Sequence, residues 1–218
     1  MRRAESRCLD MEDGGSKVED GGERPKVFRL FVAISPPEAV KDEIEKAQKE
    51  MRGALPGNVV RWTKREQFHL TLKFLGNVAE ARVAELVEAL RGACLDFPPL
   101  LLRAERIGFF PNSRIPRVVW VWVADGKEIL ARLQKAIERA VGQFTEERDE
   151  KQFTGHVTLG RIPRLRRSEA ELLAKIEREM AKRFFGEWTA GSVELIRSEL
   201  SSGGSRYTTV AAFPLLGN

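Results

Sequence analysis

The sequence is poor in residues on which several classes of protein depend. Its 218 residues include two cysteines, two histidines and one tyrosine. Cys8 and Cys94 lie far apart in the chain, so no disulfide framework is indicated, and a reducing, cytoplasmic setting is expected. No apolar run approaches the roughly 18–20 residues that span a bilayer. The composition therefore argues against a disulfide-stapled secreted fold and favours a chain without membrane contact.

Charged residues are plentiful, and they divide the chain into two parts. Residues 1–26 hold six basic and seven acidic side chains among few apolar ones, which predicts a disordered leader. Residues 27–218 hold the other 31 basic and 25 acidic side chains, a net charge of +6. With 42% hydrophobic residues, this part can bury a substantial core. Its mild basicity permits a polyanion such as RNA as a partner without requiring one.

The predicted elements occur twice in the same order. Strand-like runs rich in β-branched and aromatic residues alternate with amphipathic helical patterns, and the whole order starts again near residue 117. We therefore predict an α+β fold that is bilobal, with two pseudo-symmetric β-α-β-α-β lobes whose mainly antiparallel sheets face a central groove. The lobes are expected at about residues 27–112 and 113–218 of a single domain, and strands can be exchanged between them.

Capping pairs mark the expected starts of the helices. Ser35 with Glu38 has the spacing of a capping box, as has Asp125 with Glu128. The first helix is accordingly predicted to begin directly after Ser35, and the third directly after Asp125.

Both histidines stand in the same local sequence. His69 opens the segment HLTL, and His156 opens HVTL 87 residues later. Side chains alternate between the two faces of a strand, so each histidine shares its face with the following threonine, Thr71 or Thr158. The apolar residues between them point into the core. If the lobes pack about a pseudo-two-fold axis, the two histidine–threonine pairs face each other across one groove.

Paired imidazoles and hydroxyls suit phosphoryl transfer. With an ordinary pKa of ~6.5, one histidine can take a proton from water while the other gives a proton to a leaving oxygen. The threonine hydroxyls can donate to non-bridging phosphoryl oxygens. Attacking and leaving oxygens lie in line, so acid and base belong on opposite sides of the phosphate. The alternative is a pair of half-buried strand histidines with no catalytic role.

Other kinds of site lack their signatures. No HExxH-type spacing or neighbouring carboxylate pair accompanies either histidine, so no metal site is predicted. No nucleophile elbow and no GxxxxGK[ST] loop is present, which leaves serine or cysteine nucleophiles and nucleoside triphosphates unsupported.

Two basic residues near the motifs are candidate substrate contacts. Lys73 shares strand parity with His69 and Thr71, so it could reach a phosphate, or it could be a strand-end lysine in solvent. Arg161 has the opposite parity to its histidine and reaches the groove only if the strand bends at Gly160.

Further features allow two interpretations each. The basic run 161–167 is either a solvated loop or a track for the RNA backbone, and the same holds for Arg114 and Arg117. Trp120 and Trp122 are interpreted as core residues, with base stacking as the alternative.

At these residues the sequence resembles the 2H phosphoesterase superfamily, which is named for two H-x-T-x motifs. It most resembles the RNA 2′,3′-cyclic phosphodiesterase branch, also called 2′-5′ RNA ligases. The resemblance runs from about residue 27 to the end, through RLFVAISPPEAV, WTKREQFHLTLKFLGNV and SELSSGGSRYTTVAAFPL. One departure is Gly155, where relatives often have proline.

The resemblance implies hydrolysis of an RNA 2′,3′-cyclic phosphate to a 2′-phosphomonoester without metal or other cofactor, and 2′-5′ ligation as the reverse-type reaction. It implies that His69 is the proton donor and His156 the proton acceptor, an assignment that the pseudo-symmetric sequence leaves open. The expected partner is RNA with a cyclic phosphate end, or a cyclic nucleotide, bound by a monomer. Two alternatives stand: an RNA-binding module without turnover, and a 2H phosphodiesterase acting on another small cyclic phosphate or a 2′-5′ oligonucleotide.

Overall fold

The structure, a computed structural model, describes residues 26–146, 152–201 and 204–217. The predicted leader lies outside the described residues except for Lys26. In chain order the elements are β1 Val27–Ile34, α1 Glu38–Ala54, β2 Arg61–Trp62, β3 Leu70–Ala79, α2 Val83–Leu95, β4 Leu100–Phe110, β5 Val118–Ala124, α3 Ile129–Val141, β6 His156–Arg161, α4 Arg167–Glu179, β7 Phe184–Ala190, β8 Ser192–Ser201 and β9 Gly204–Pro214. No helix in the described part of the chain is long and apolar enough to cross a membrane.

The described strands form one sheet in which every pairing is antiparallel. Its order is β7-β4-β5-β6-β3-β1-β8-β9, and β2 pairs with Gly160 and Arg161 of β6, on the edge where β3 pairs only with Val157. The two central strands, β6 and β3, share one pair, Leu70 with Val157. The sheet therefore divides there into two halves of four strands that diverge from a narrow junction. The predicted α+β class with antiparallel sheets around a central groove is confirmed.

Each half of the sheet contains strands from both sequence repeats. β4 belongs to the first repeat but pairs with β5 and β7 of the second. Conversely, β8 of the second repeat pairs with β1. Strands β4 and β8 thus each complete a half of the sheet that the other repeat begins. The predicted boundary between the lobes at residues 112 and 113 remains a prediction about the sequence repeats. It does not separate the two halves of the sheet, because each half contains strands from both sides of that boundary.

Helix α1 begins later than the capping pattern predicts. It starts at Glu38 after Pro37, whose backbone is extended, and no side chain caps it. Ser35 instead donates its hydroxyl to Glu194 across the sheet at 2.6 Å. Two consecutive prolines fix an extended path, which explains why the prediction for Ser35 is wrong. The prediction for the third helix is wrong as well, because α3 begins at Ile129 and Glu128 is its N-cap, although the carboxylate of Asp125 accepts the backbone N–H of Ile129 at 2.6 Å.

Strand β3 contains a bulge directly after the threonine of the first motif. Thr71 pairs with Ala33 and Lys73 pairs with Val32, so Leu72 is an extra residue in the ladder. A bulge shifts the alternation of faces for the residues that follow it. Phe74, not Lys73, therefore shares the face of Thr71.

Strand β6 contains the equivalent bulge after the second motif. Thr158 pairs with Trp120 and Gly160 pairs with Val119, so Leu159 is the extra residue. The alternation shifts here as well, and Arg161 turns to the face of Thr158. The two repeats therefore share a backbone irregularity that their side-chain pattern does not show.

Candidate active site

A groove of about 1030 Å³ lies at the junction of the two sheet halves, on the face opposite the buried core. The side chains of both motifs line it: His69, Thr71, His156 and Thr158. The intervening apolar residues, Leu70, Leu72, Val157 and Leu159, are at most 2% exposed. The predicted division of each motif between groove and core is confirmed.

The two histidines are held by equivalent backbone contacts. His69 Nδ1 lies 2.7 Å from the carbonyl oxygen of Gln67, and His156 Nδ1 lies 2.8 Å from that of Thr154. A carbonyl oxygen only accepts hydrogen bonds, so Nδ1 is the donor in both pairs and carries a proton. Nε2 is therefore the nitrogen of each ring that is free to gain or lose a proton. The residue two positions before each histidine fixes this tautomer.

Aromatic rings pack against both imidazoles. The centroid of His69 lies 4.7 Å from that of Phe31 and 5.4 Å from that of Tyr207. His156 lies 5.0 Å from Phe110, which meets it edge to face. These rings limit the movement of the imidazoles and shield them from water.

This shielding changes how readily the histidines are protonated. Burial lowers the pKa of His69 to about 4, and the nearby His156 acts in the same direction, against the opposing effect of the Gln67 carbonyl. Burial also lowers the pKa of His156, and the charge of Arg161 adds to this. Both rings are therefore neutral at neutral pH when the groove holds no anion. An anion between them would favour the imidazolium form and raise both pKa values.

The low pKa of His69 predicts a stability that depends on pH. The unfolded chain binds a proton at about pH 6.5 and the folded chain only at about 4, so stability is complete above 6.5 and is lost as the pH falls through this window. Between pH 7 and pH 5 we expect the free energy of unfolding to fall by on the order of 2 kcal/mol from this residue. In urea titrations, His69→Gln should show a smaller loss. An unchanged difference between the two pH values would contradict the assignment to His69.

Trp120 and Trp122 lie on the groove face of the sheet. In the β5–β6 pair, Trp120 stands opposite Thr158 and Trp122 opposite His156, and directly opposed residues share a face. Both are half-buried, and Trp120 stacks under Phe110 with centroids 4.8 Å apart. The interpretation of these tryptophans as core residues is therefore wrong, because the core-facing positions of β5 are its valines. Base stacking stays a prediction.

Lys73 does not line the groove. It is 2% exposed, and its Nζ lies 3.4 Å from Oε1 of Glu138 on α3. The prediction from strand parity is wrong because the bulge at Leu72 turns Lys73 to the helix-covered face, and the alternative of a solvated lysine is wrong as well. Lys73 instead lines a second cavity of about 880 Å³, which meets the groove at Thr71 and His156.

Arg161 lines the groove, because the bulge at Leu159 provides the bend on which its prediction depended. The other residues of the basic run 161–167 do not all face the groove. Pro163 also lines the groove, whereas Arg167 pairs with Glu171 along α4 at 3.4 Å. Of the two earlier arginines, Arg117 lines the groove and Arg114 does not.

The groove residues that the sequence analysis missed include Arg29, Arg61 and Tyr207. Arg29 and Tyr207 belong to β1 and β9, which reach the groove only through the strand order. Burial raises the pKa of Tyr207, so its hydroxyl stays protonated despite the opposing charges of Arg161 and Arg29. The one feature of the sequence that could have drawn attention to Tyr207 is that it is the single tyrosine of the chain.

The lining of the groove is positively charged. It includes four arginines, and among the described residues no aspartate or glutamate contributes to it. Within the same described ranges, no group of three or more histidine, cysteine, aspartate or glutamate side chains is placed to hold a metal ion. The groove therefore suits an anionic ligand.

Gly155 supports the anchor of His156. Its carbonyl accepts the N–H of Val123 at 2.9 Å, and a Cβ at this position would overlap the Val123 carbonyl oxygen. Gly155→Ala should therefore cost about 1–3 kcal/mol of stability, as overpacking does, and lower activity by displacing the neighbouring Thr154 carbonyl. Thermal unfolding and kcat/KM would be measured beside Gly92→Ala, whose Cβ would meet nothing within 4 Å. Equal behaviour of the two variants would refute this role.

Comparison with known proteins assigns the chain to a family. The sequence profile of the family described as LigT like Phosphoesterase matches it twice, over residues 34–120 and 121–207. The protein is therefore a phosphoesterase by family, and it belongs to the LigT-like phosphoesterases, the 2H group to which its motifs pointed.

Relatives cover nearly the whole described chain. A protein of Aquifex aeolicus named RNA 2′,3′-cyclic phosphodiesterase is 31% identical over 193 residues, covering 88% of this chain and all of the relative. One of the same name from Archaeoglobus fulgidus is 32% identical, covering 85% and 99%. A crystal structure of a Thermus thermophilus protein matches with a TM-score of 0.71 at 29% identity, covering 87% and 98%. E. coli LigT complexed with 3′-AMP shares the fold, with a TM-score of 0.69 at 21% identity over 87% and 99% of the two chains.

Proposed function

We propose that this protein hydrolyses RNA 2′,3′-cyclic phosphate ends to 2′-phosphomonoesters by metal-independent acid–base catalysis between His69 and His156. The observation that carries the proposal is the equivalent anchoring of the two imidazoles. Each Nδ1 binds a backbone carbonyl, so each Nε2 is left to serve one groove lined by arginines. The names of the relatives support the choice of substrate.

The reaction needs one proton transfer on each side of the phosphorus. Neutral His156 takes a proton from water as the water oxygen attacks phosphorus. The P–O3′ bond breaks, and protonated His69 gives its proton to the O3′ leaving oxygen, so the product carries a 2′-phosphate and a 3′-hydroxyl. His69 loses its proton easily in the unliganded groove, and the bound phosphate anion restores it by raising its pKa. The choice of donor and acceptor rests on the family resemblance.

Thr71, Thr158 and Arg161 bind the non-bridging oxygens. The two hydroxyls stand beside the imidazoles on the rigid strands β3 and β6, where they can donate to phosphoryl oxygens as charge develops. The charge of Arg161 contributes to lowering the pKa of His156, and its side chain lines the same groove, which supports a role for Arg161 in binding the phosphate. Lys73 has no part in these contacts, since it lies on the other face.

The same groups support 2′-5′ ligation. If the 5′-hydroxyl of a second RNA replaces water, His156 takes its proton and a 2′-5′ phosphodiester forms while the P–O3′ bond breaks. The second cavity, which opens beside Thr71 and His156, offers room for the nucleoside of the substrate. All these residues belong to one chain, so a monomer suffices. Buried, unpaired Cys94 is compatible with the cytoplasm, where we place the reaction.

Hydrolysis of nucleoside 2′,3′-cyclic phosphates in excess EDTA tests the proposal. We expect turnover to a 2′-phosphate, identified by product chromatography, and the same rate without the chelator. A dependence on added divalent metal would contradict the mechanism. Binding without turnover would indicate the RNA-binding module instead, and turnover confined to other members of a cyclic phosphate and 2′-5′ oligonucleotide panel would redirect the substrate.

A further inference from the structure

Two arginines stand directly opposite each other at one end of the groove. β2 pairs with β6 over two residues, and Arg61 is the partner of Arg161. Directly opposed residues on an antiparallel pair have Cβ atoms about 4.5–5.5 Å apart, and like charges at such positions destabilise the sheet. Both side chains line the groove.

In the part of the chain that the structure describes, no carboxylate forms an ion pair with either of these arginines. Among the described residues, neither guanidinium has a hydrogen-bond or ion-pair partner. Arg65, four positions after Arg61, shows the usual arrangement, with Glu38 at 2.5 Å and Asp42 at 2.6 Å. The guanidinium of the third arginine at this end, Arg117, donates to the carbonyl of Pro163 at 3.2 Å. The positive charge is therefore concentrated and available to a ligand.

The fold holds the two arginines together by specific contacts. Gly160 allows β2 to approach, because a Cβ there would lie 2.5 Å from Val60 Cγ1 and 2.9 Å from the Arg61 carbonyl oxygen. Gln48, which is 4% exposed, donates to the carbonyls of Thr63 at 2.8 Å and Leu159 at 3.0 Å. A buried glutamine and a required glycine thus maintain an arrangement that is electrostatically unfavourable without an anion.

Arg61 stands further along the groove than the residues of the two motifs. Its partner Arg161 is the fifth residue after His156 on β6, at most about 16 Å along the strand at 3.3 Å per residue. Arg161 lines the same groove as His156 and contributes to lowering its pKa. Arg61, one strand further out, then faces the part of the groove that a polynucleotide would occupy next to its cyclic end.

We propose that Arg61, together with Arg117, binds a backbone phosphate upstream of the terminal nucleotide, so that the enzyme prefers the end of an RNA chain to a cyclic mononucleotide. This inference rests on the proposed function. Phosphate is the ligand expected for such a site, since guanidinium groups bind it in bidentate geometry.

The test compares kcat/KM for a trinucleotide that ends in a 2′,3′-cyclic phosphate with kcat/KM for the cyclic mononucleotide. We expect the wild-type ratio to exceed about ten at low salt and to fall roughly tenfold in Arg61→Ala. The salt dependence of trinucleotide binding should lose about one phosphate contact, a slope change of about 0.7 for a single strand. Arg61→Lys should restore part of the ratio.

Arg178→Ala on α4 is the matched control, because it removes an exposed arginine that does not line the groove. Its ratio should equal that of the wild type. The unfolding midpoint of Arg61→Ala should not drop, since one of two like charges is removed. A wild-type ratio near one, or an unchanged ratio in Arg61→Ala, would overturn the inference.

Direct binding separates this inference from the proposed function. A trinucleotide ending in a 2′-phosphate is titrated into the wild type and Arg61→Ala at two salt concentrations. If the wild type hydrolyses neither substrate, the proposed function fails, yet weaker, less salt-dependent binding by Arg61→Ala still supports the phosphate site. Equal binding by both proteins refutes the site whatever the activity.

Discussion

Replacing either His69 or His156 by alanine should lower kcat/KM for a cyclic phosphate by on the order of 10²–10⁴. This is the usual contribution of a positioned general acid or base, and each imidazole is the single group of its kind on its side of the groove in the described structure. Steady-state kinetics at several pH values provides the measurement. Wild-type rates in both variants would exclude the two-histidine mechanism.

The pH dependence distinguishes the two variants. His69 must hold a proton and His156 must lack one, so the wild-type kcat/KM should be bell-shaped. Both pKa values are lowered in the unliganded groove, and His69 titrates at about 4, so we expect both limbs below 6.5 and an optimum on the acidic side of neutrality. The kcat profile should lie at higher pH, because the bound phosphate favours both imidazolium forms.

Each alanine variant should lose one limb. His69→Ala removes the group whose deprotonation limits the rate, so its profile should rise with pH and then stay level. His156→Ala removes the group whose protonation limits the rate, so the fall on the acidic side should disappear. If His69→Ala instead loses the acidic limb and His156→Ala the alkaline limb, the acid–base mechanism is retained but the assignment of donor and acceptor is reversed. Thermal unfolding above pH 7, where both rings are neutral, serves as the folding control.

Thr71→Val and Thr158→Val should each lower kcat by roughly 10², the lower part of the range for removal of one donor to a developing oxyanion. Valine matches the shape of threonine and removes only the hydroxyl. Because these hydroxyls do not titrate here, both limbs of the pH profile should persist with unchanged midpoints.

Serine at the same positions is the matched control for the threonine variants. Thr71→Ser and Thr158→Ser keep the hydroxyl and should retain most of the activity. If valine and serine cost the same, the threonines act through packing of the strands and not through hydrogen bonds to the phosphate. If valine raises KM alone, they bind the ground state and the transition state equally.

Local sequence was sufficient for the two motif strands themselves. Alternation with period two placed His69 with Thr71 on one face, and the leucines on the other are buried as predicted. The recurrence of the motif at His156 then indicated a shared groove. These inferences depend only on the geometry of a single strand and on symmetry between repeats, so they needed no knowledge of the strand order.

Alternation with period two predicts the wrong strand face for residues that follow each motif. The bulges at Leu72 and Leu159 shift the faces, which moves Lys73 under α3 and brings Arg161 into the groove. A bulge is a property of the pairing between two strands, and neither β3 nor β6 carries it in its own residue pattern. The sequence therefore did not determine which face of the strand the residues beyond each motif occupy.

What the sequence alone determined about this protein is its repeated architecture and the two histidine–threonine pairs. Only the tertiary structure decided which further residues meet them. Arg61 enters the groove because β2 pairs with β6 at Gly160, and Tyr207 enters because β9 extends the half-sheet that begins with β3. Such neighbours are set by long-range strand pairing, in which burial and backbone hydrogen bonding across the whole sheet select one partner, and no local pattern encodes that choice.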